Sequence, residues 1–165
     1  MNAATLTHES SHVACALLLH RQVAWVKGEV GCTWDDEVLG SALIPLVDGH
    51  FTPDDVVIRL VGYWSEHRWQ GWPPDYRTAR YESLEDLDII IDALDLTAEQ
   101  YGQAVAQAEA MLGDPRFTRL RGALARLLAI TPRLERGDIE RLAAAHGVHM
   151  PDERQRAEEP APCNT

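Results

Sequence analysis

At 165 residues, 45% of them hydrophobic, the chain has the length and apolar content of one domain with a real core, which excludes a disordered or peptide-sized molecule. Its formal charge of −11, from 26 acidic and 15 basic residues, opposes a DNA or RNA partner. Three widely spaced cysteines without a C-x-x-C pair exclude a disulfide framework and a thiolate zinc site, and no apolar run approaches the roughly 20 residues that cross a bilayer, so a cytoplasmic protein with no membrane anchor is expected.

From Thr5 to His20 the chain has neither Gly nor Pro and is rich in Ala and Leu, which predicts a helix. Short apolar and β-branched runs at Val23–Val30 and Glu37–Leu46, separated by Gly31, Asp35 and Asp36, predict two strands and a turn. Thr52-Pro53-Asp54-Asp55 is a helix start, with a hydroxyl to cap free N–H groups and two carboxylates facing the positive helix end, so a helix over Pro53–Trp69 follows. Gly71-Trp72-Pro73-Pro74 breaks it, and an irregular loop is expected to about Arg80.

Ser83-Leu84-Glu85-Asp86 is a capping signal before the apolar run Leu87, Ile89, Ile90, Ile91, Leu94, which predicts a further helix. Thr97 opens the next, to about Leu112, Asp114-Pro115 another, to about Ile130, and Arg136–His146 the last, ended by Gly147. Arg116, Arg119, Arg121 and Arg126 alternate with Leu120, Leu124, Leu127 and Leu128, and read as the wet side of an amphipathic helix rather than as a phosphate track. The expected class is mainly α with a small β element, in one domain over 1–150, followed by a disordered tail over 151–165.

The chemistry is concentrated in His8-Glu9-Ser10-Ser11-His12. Residues four apart on an α-helix lie one turn apart on the same face, so His8 and His12 can aim their imidazoles at one metal ion. Zinc suits two such nitrogens, and in an H-E-x-x-H arrangement the glutamate is the general base that takes a proton from the attacking water. The same spacing occurs by accident on solvated helices. Here the following Val13–Leu19 is apolar on all sides, which implies a buried helix with little reason to carry these polar groups unless something polar satisfies them. A third ligand is needed; Glu66, on the helix over Pro53–Trp69, and an aspartate from the later helices are candidates. The longer motif with a third histidine is excluded, because Cys15 and Leu18 stand where it requires Gly and His.

Thr7-His8-Glu9-Ser10-Ser11-His12-Val13-Ala14, Leu39-Gly40, Leu60-Val61-Gly62 and Ser83-Leu84-Glu85-Asp86-Leu87 together resemble, in that order, the peptidase domain of the FtsH family, the M41 zinc metallopeptidases. The likeness continues into the helical C-terminal half. It implies a zincin-like helical domain, a metallopeptidase hydrolysing peptide bonds of peptides or unfolded proteins, and a zinc ion held by His8, His12 and Asp86, with Glu9 as general base and Asp88 as second choice for the third ligand. The sequence departs from the family at Ser11, where a glycine is usual, and between Gly62 and Glu66, where Tyr63, Trp64 and Ser65 replace small residues. Nor do the 165 residues contain the G-x-x-x-x-G-K-[ST] phosphate loop, so activity is expected without ATP in this chain, or with a separate ATPase partner or a homo-oligomer. The alternative is an inactive domain kept as a binding or regulatory module. The remaining histidines, His20, His50, His67, His146 and His149, are expected on surfaces or loops, and Trp64, Trp69 and Trp72 as core anchors.

Overall fold

A computed structural model describes residues 3–28, 40–69 and 84–150. The expected turn around Asp35, the Pro-Pro loop with Trp72, and the tail after Met150 lie outside the described residues.

Helix α1 spans Ala3–Leu18, two residues earlier at each end than the composition suggests. The hydroxyls of Thr7, Ser10 and Ser11 donate to the carbonyls of Ala3, Leu6 and Thr7, four residues back, which is how three polar residues fit in a helix that is buried from Glu9 to Leu17. The chain then reverses through His20 in the left-handed region, with φ 57°, and the Arg21 N–H returns to the Ala16 carbonyl at 2.8 Å.

Strand β1, Trp25–Gly28, is the centre of a three-stranded antiparallel sheet in the order β2-β1-β3, where β2 is Gly40–Leu43 and β3 is Arg133–Glu135. Val26 pairs with Ala42 on one side and Leu134 on the other. The two expected strands exist but are shorter, and β3 is an addition to the sequence reading. It holds a single apolar residue and gains its strand conformation from pairing with β1.

Helix α2 spans Pro53–Trp69, as its start signal predicts. Asp55 does more than oppose the helix dipole. Its carboxylate accepts from the Thr52 N–H at 2.8 Å and from both guanidinium nitrogens of buried Arg21, at 3.0 and 3.2 Å, while Arg21 also donates to the Pro45 carbonyl. One buried ion pair thus ties the end of α1, the loop after β2 and the start of α2, and its many donors satisfy charges that burial would otherwise penalise.

Four further helices follow among the described residues: α3, Leu84–Leu94; α4, Ala98–Gly113; α5, Pro115–Ile130; and α6, Arg136–Ala145. Thr97 and Gln100 cap α4 reciprocally, and Asp114 accepts from the Arg116 N–H to open α5. Gly147, at φ +75°, lets the chain turn after α6 so that the Val148 N–H reaches the Ala143 carbonyl. A single apolar cluster draws Val13–Leu17, Val56–Ile58, Leu60, Val61, Trp64, Phe117, Leu120, Leu124, Leu128, Leu134 and Ile139 together, with α1 and α2 at its centre. Among the described residues no helix is long and apolar enough to cross a membrane.

Candidate metal centre

Helix α1 places His8 and His12 one turn apart, and their rings meet edge to face at 4.5 Å between centroids, with the two Nε2 atoms 2.9 Å apart. What surrounds the rings decides the chemistry of that pair. His12 Nδ1 lies 2.8 Å from the Ile58 carbonyl, which only accepts, so Nδ1 carries the proton and neutral His12 presents a lone pair at Nε2. His8 Nδ1 lies 3.0 Å from Glu66 Oε2, and that hydrogen bond holds the Glu66 carboxyl below its ordinary range, against the opposing effect of burial. A carboxylate there assigns the proton of His8 to Nδ1 as well. With the Nδ1 atoms so committed, the two Nε2 atoms face each other at 2.9 Å, and a cation or a shared proton between them removes the repulsion of facing lone pairs.

The metal implied by the H-E-x-x-H spacing can be tested against this arrangement. The 2.9 Å gap is within the span of two zinc–nitrogen bonds of about 2.0–2.1 Å each. Each ring donates its other N–H to a carboxylate or a backbone carbonyl, which is the support that metal-binding histidines receive. Burial, followed by the neighbouring His8 and Arg59, pushes His12 well below the usual histidine range and keeps it in the neutral form a metal requires. These two residues fit a zinc ion.

Room for the His12 ring comes from Gly62 on α2: a Cβ there would run into Cε1 and Nε2 of the imidazole. Glu9 is 7% exposed on the same face of the cluster, and burial raises its carboxyl above the ordinary value, opposed by His8 and Arg59. His8, Glu9 and His12 open into a cleft of about 430 Å³ whose other walls include Leu43 of β2 and the following Ile44, Ile58 and Arg59 of α2, and Ile90 of α3.

Of the residues singled out in the sequence, His8, Glu9 and His12 come together as expected. Glu66 also arrives, but at Nδ1 of His8, where it positions the ring. The side chains of Asp86 and Asp88 lie outside the described residues; the Asp86 backbone belongs to α3, one helical turn before Ile90. Among the described residues no group of three His, Cys, Asp or Glu side chains is placed to hold an ion. His20, His50, His146 and His149 are exposed as expected. His67 is a correction: only 4% exposed, it stacks on Tyr63 at 4.3 Å, because α2 buries this side of its last turn. Trp64 is the core anchor expected of it. The Ile58 carbonyl and the contact between Gly62 and His12 were not recognisable beforehand; the glycine inside an apolar helix was the one available signal.

Compared with protein-family models, with curated proteins and with solved structures, the chain matches none.

Proposed function

We propose that this chain is a zinc-dependent peptidase with the zincin-like fold of the FtsH peptidase domain, its metal held by His8, His12 and Asp86 and its general base Glu9. The observation that carries the reading is the convergence of two imidazole Nε2 atoms whose Nδ1 atoms are both committed to acceptors. Asp86 enters through its place on α3, which borders the cleft at Ile90. Bound zinc would supply a Lewis acid that acidifies water and polarises the scissile carbonyl.

The protein's own groups do the rest. Glu9, raised by burial, is a stronger base than a solvated carboxylate, and it takes the proton from the attacking water and returns it to the leaving amine. Glu66 and the Ile58 carbonyl fix the two rings. Strand β2 lies at an edge of the sheet and contributes Ala42 and Leu43 to the cleft wall, so an extended peptide can pair along it and lay its backbone over the histidines. The mixed polar and apolar lining of the cleft, with Leu43, Ile44 and Phe51 beside the histidines, suits a peptide or a segment of an unfolded protein, and a cytoplasmic protein is part of the same proposal.

Elemental analysis tests the metal: about one zinc per chain is expected, lost in His8→Ala and His12→Ala and weakened in Asp86→Ala. Cleavage of an unstructured protein tests the chemistry. Retention of full activity in Glu9→Gln, with zinc still bound, would overturn the mechanism.

A further inference from the structure

A second cavity, of about 220 Å³, lies between α2, the end of α4 and α5, and shares no lining residue with the metal centre. We propose that Ser65, Arg68, Thr118 and Arg121, which line it, form a binding site for a phosphate group, carried by the free ion or by a small phosphate monoester.

Two independent observations point to a ligand. Ser65 is 1% exposed, and its hydroxyl has no hydrogen-bond partner among the described residues. The buried serines of α1 behave differently, folding back onto carbonyls of the preceding turn. An unmade hydrogen bond of this kind is costly, and a ligand oxygen in the cavity would satisfy it. The second observation concerns the arginines. Arg21, Arg116, Arg133, Arg136 and Arg141 each pair with a carboxylate, whereas Arg68 and Arg121 have none among the described residues and share this cavity. Arg119 and Arg126 also lack a carboxylate partner among the described residues, but they point to solvent, whereas Arg68 and Arg121 share the cavity that Ser65 lines. Arg121 also leaves the wet row of α5: it is half-buried, lies 5.7 Å from the Phe117 ring centre, and has its pKa depressed by that burial and by Arg68.

Two cations, exposed Arg68 and half-buried Arg121, favour a multiply charged anion over a single carboxylate, and guanidinium donors beside two hydroxyls suit a tetrahedral oxyanion. The sequence reading of Arg116–Arg126 as a plain solvated face therefore holds for Arg116, Arg119 and Arg126, which are exposed, but not for Arg121.

Calorimetric titration with inorganic phosphate and with methyl phosphate, in chloride buffer of constant ionic strength, tests the site. One anion per chain is expected, and the tighter of the two probes identifies the source. Arg68→Gln and Arg121→Gln should each lower the affinity about tenfold or more. Ser65→Ala should lower it several-fold while leaving the anion-free protein as stable as the parent or more so, and His8→Ala should leave it unchanged. No binding of either probe to the parent, or equal binding by the parent and the folded Arg68→Gln and Ser65→Ala proteins, overturns the proposal.

Discussion

The His12 imidazole occupies the space where residue 62 would carry its Cβ, so Gly62 is what allows α2 to approach α1 at the metal centre. A methyl group there must push the ring off the Ile58 carbonyl or force the helices apart. Gly62→Ala is expected to destabilise the fold by about 1–3 kcal/mol, the range for overpacking, and to weaken zinc binding with it. Gly122→Ala is the matched control. Its Cβ would meet only the Arg126 guanidinium, at 3.6 Å, so the usual gain of about 0.5–1 kcal/mol for replacing a mid-helix glycine is expected there. Chemical denaturation of the two variants measures both.

Glu66 acts on the metal through His8. Removing its carboxylate in Glu66→Ala leaves His8 free to rotate and to change tautomer, and zinc affinity is expected to fall about 10–100-fold. Glu66→Gln keeps an oxygen that can accept from His8 Nδ1, so a smaller loss is expected. Competition with a chromophoric chelator ranks parent, Gln and Ala; equal affinities in all three would remove Glu66 from the site.

The sequence foretold whatever local chemistry encodes. Thr52-Pro53-Asp54-Asp55, Thr97 with Gln100, and Asp114-Pro115 each start a helix through interactions within four residues, and each helix begins where those signals lie. The His8 and His12 pairing was legible for the same reason, since helical geometry alone brings residues four apart together. Strand β3 was not, because Arg133-Leu134-Glu135 has no apolar alternation to read and depends on β1, more than 100 positions earlier. Likewise, Glu66 meets His8 only once α2 packs on α1, 58 positions away in sequence, and nothing in either segment sets that register. His67 looked like a surface residue because charge and polarity dominate Glu66-His67-Arg68. Its burial, with the ring against Tyr63, comes from tertiary packing that three polar residues in a row do not encode.

Glu9 combines two opposed demands. Burial raises its carboxyl, which suits a general base and at the same time charges the folded state for keeping an anion out of water. Glu9→Gln is nearly isosteric and carries no charge, so it should bind zinc, lose about 10²–10⁴-fold in peptide hydrolysis, and melt higher than the parent. For a chain of this size each kcal/mol regained moves the midpoint by about 2–4 °C. An inactive variant that melts lower would assign Glu9 a structural task in place of catalysis.

The pH dependence of the chelator-treated protein follows from His12. Its folded pKa is well below the ordinary 6.5, through burial and the adjacent His8 and Arg59, while in the unfolded chain it titrates normally. Between those two values the unfolded state binds a proton that the folded state does not, so stability rises with pH across that window and levels off above about 6.5. Glu9 works in the opposite sense. Its folded pKa lies above the ordinary 4.5, so the folded state holds the extra proton just above that value and gains stability as pH falls. Melting curves from pH 7 downward should therefore show a declining midpoint in the parent, a flatter profile in His12→Gln, and a steeper decline in Glu9→Gln near the carboxylate range. Zinc raises all midpoints for proteins that retain both histidines, and the increment shrinks with acid because protons compete for the same Nε2 lone pairs. A parent profile that is flat between pH 7 and pH 5 would mean that His12 is not held neutral, and the case for a preformed metal centre would go with it.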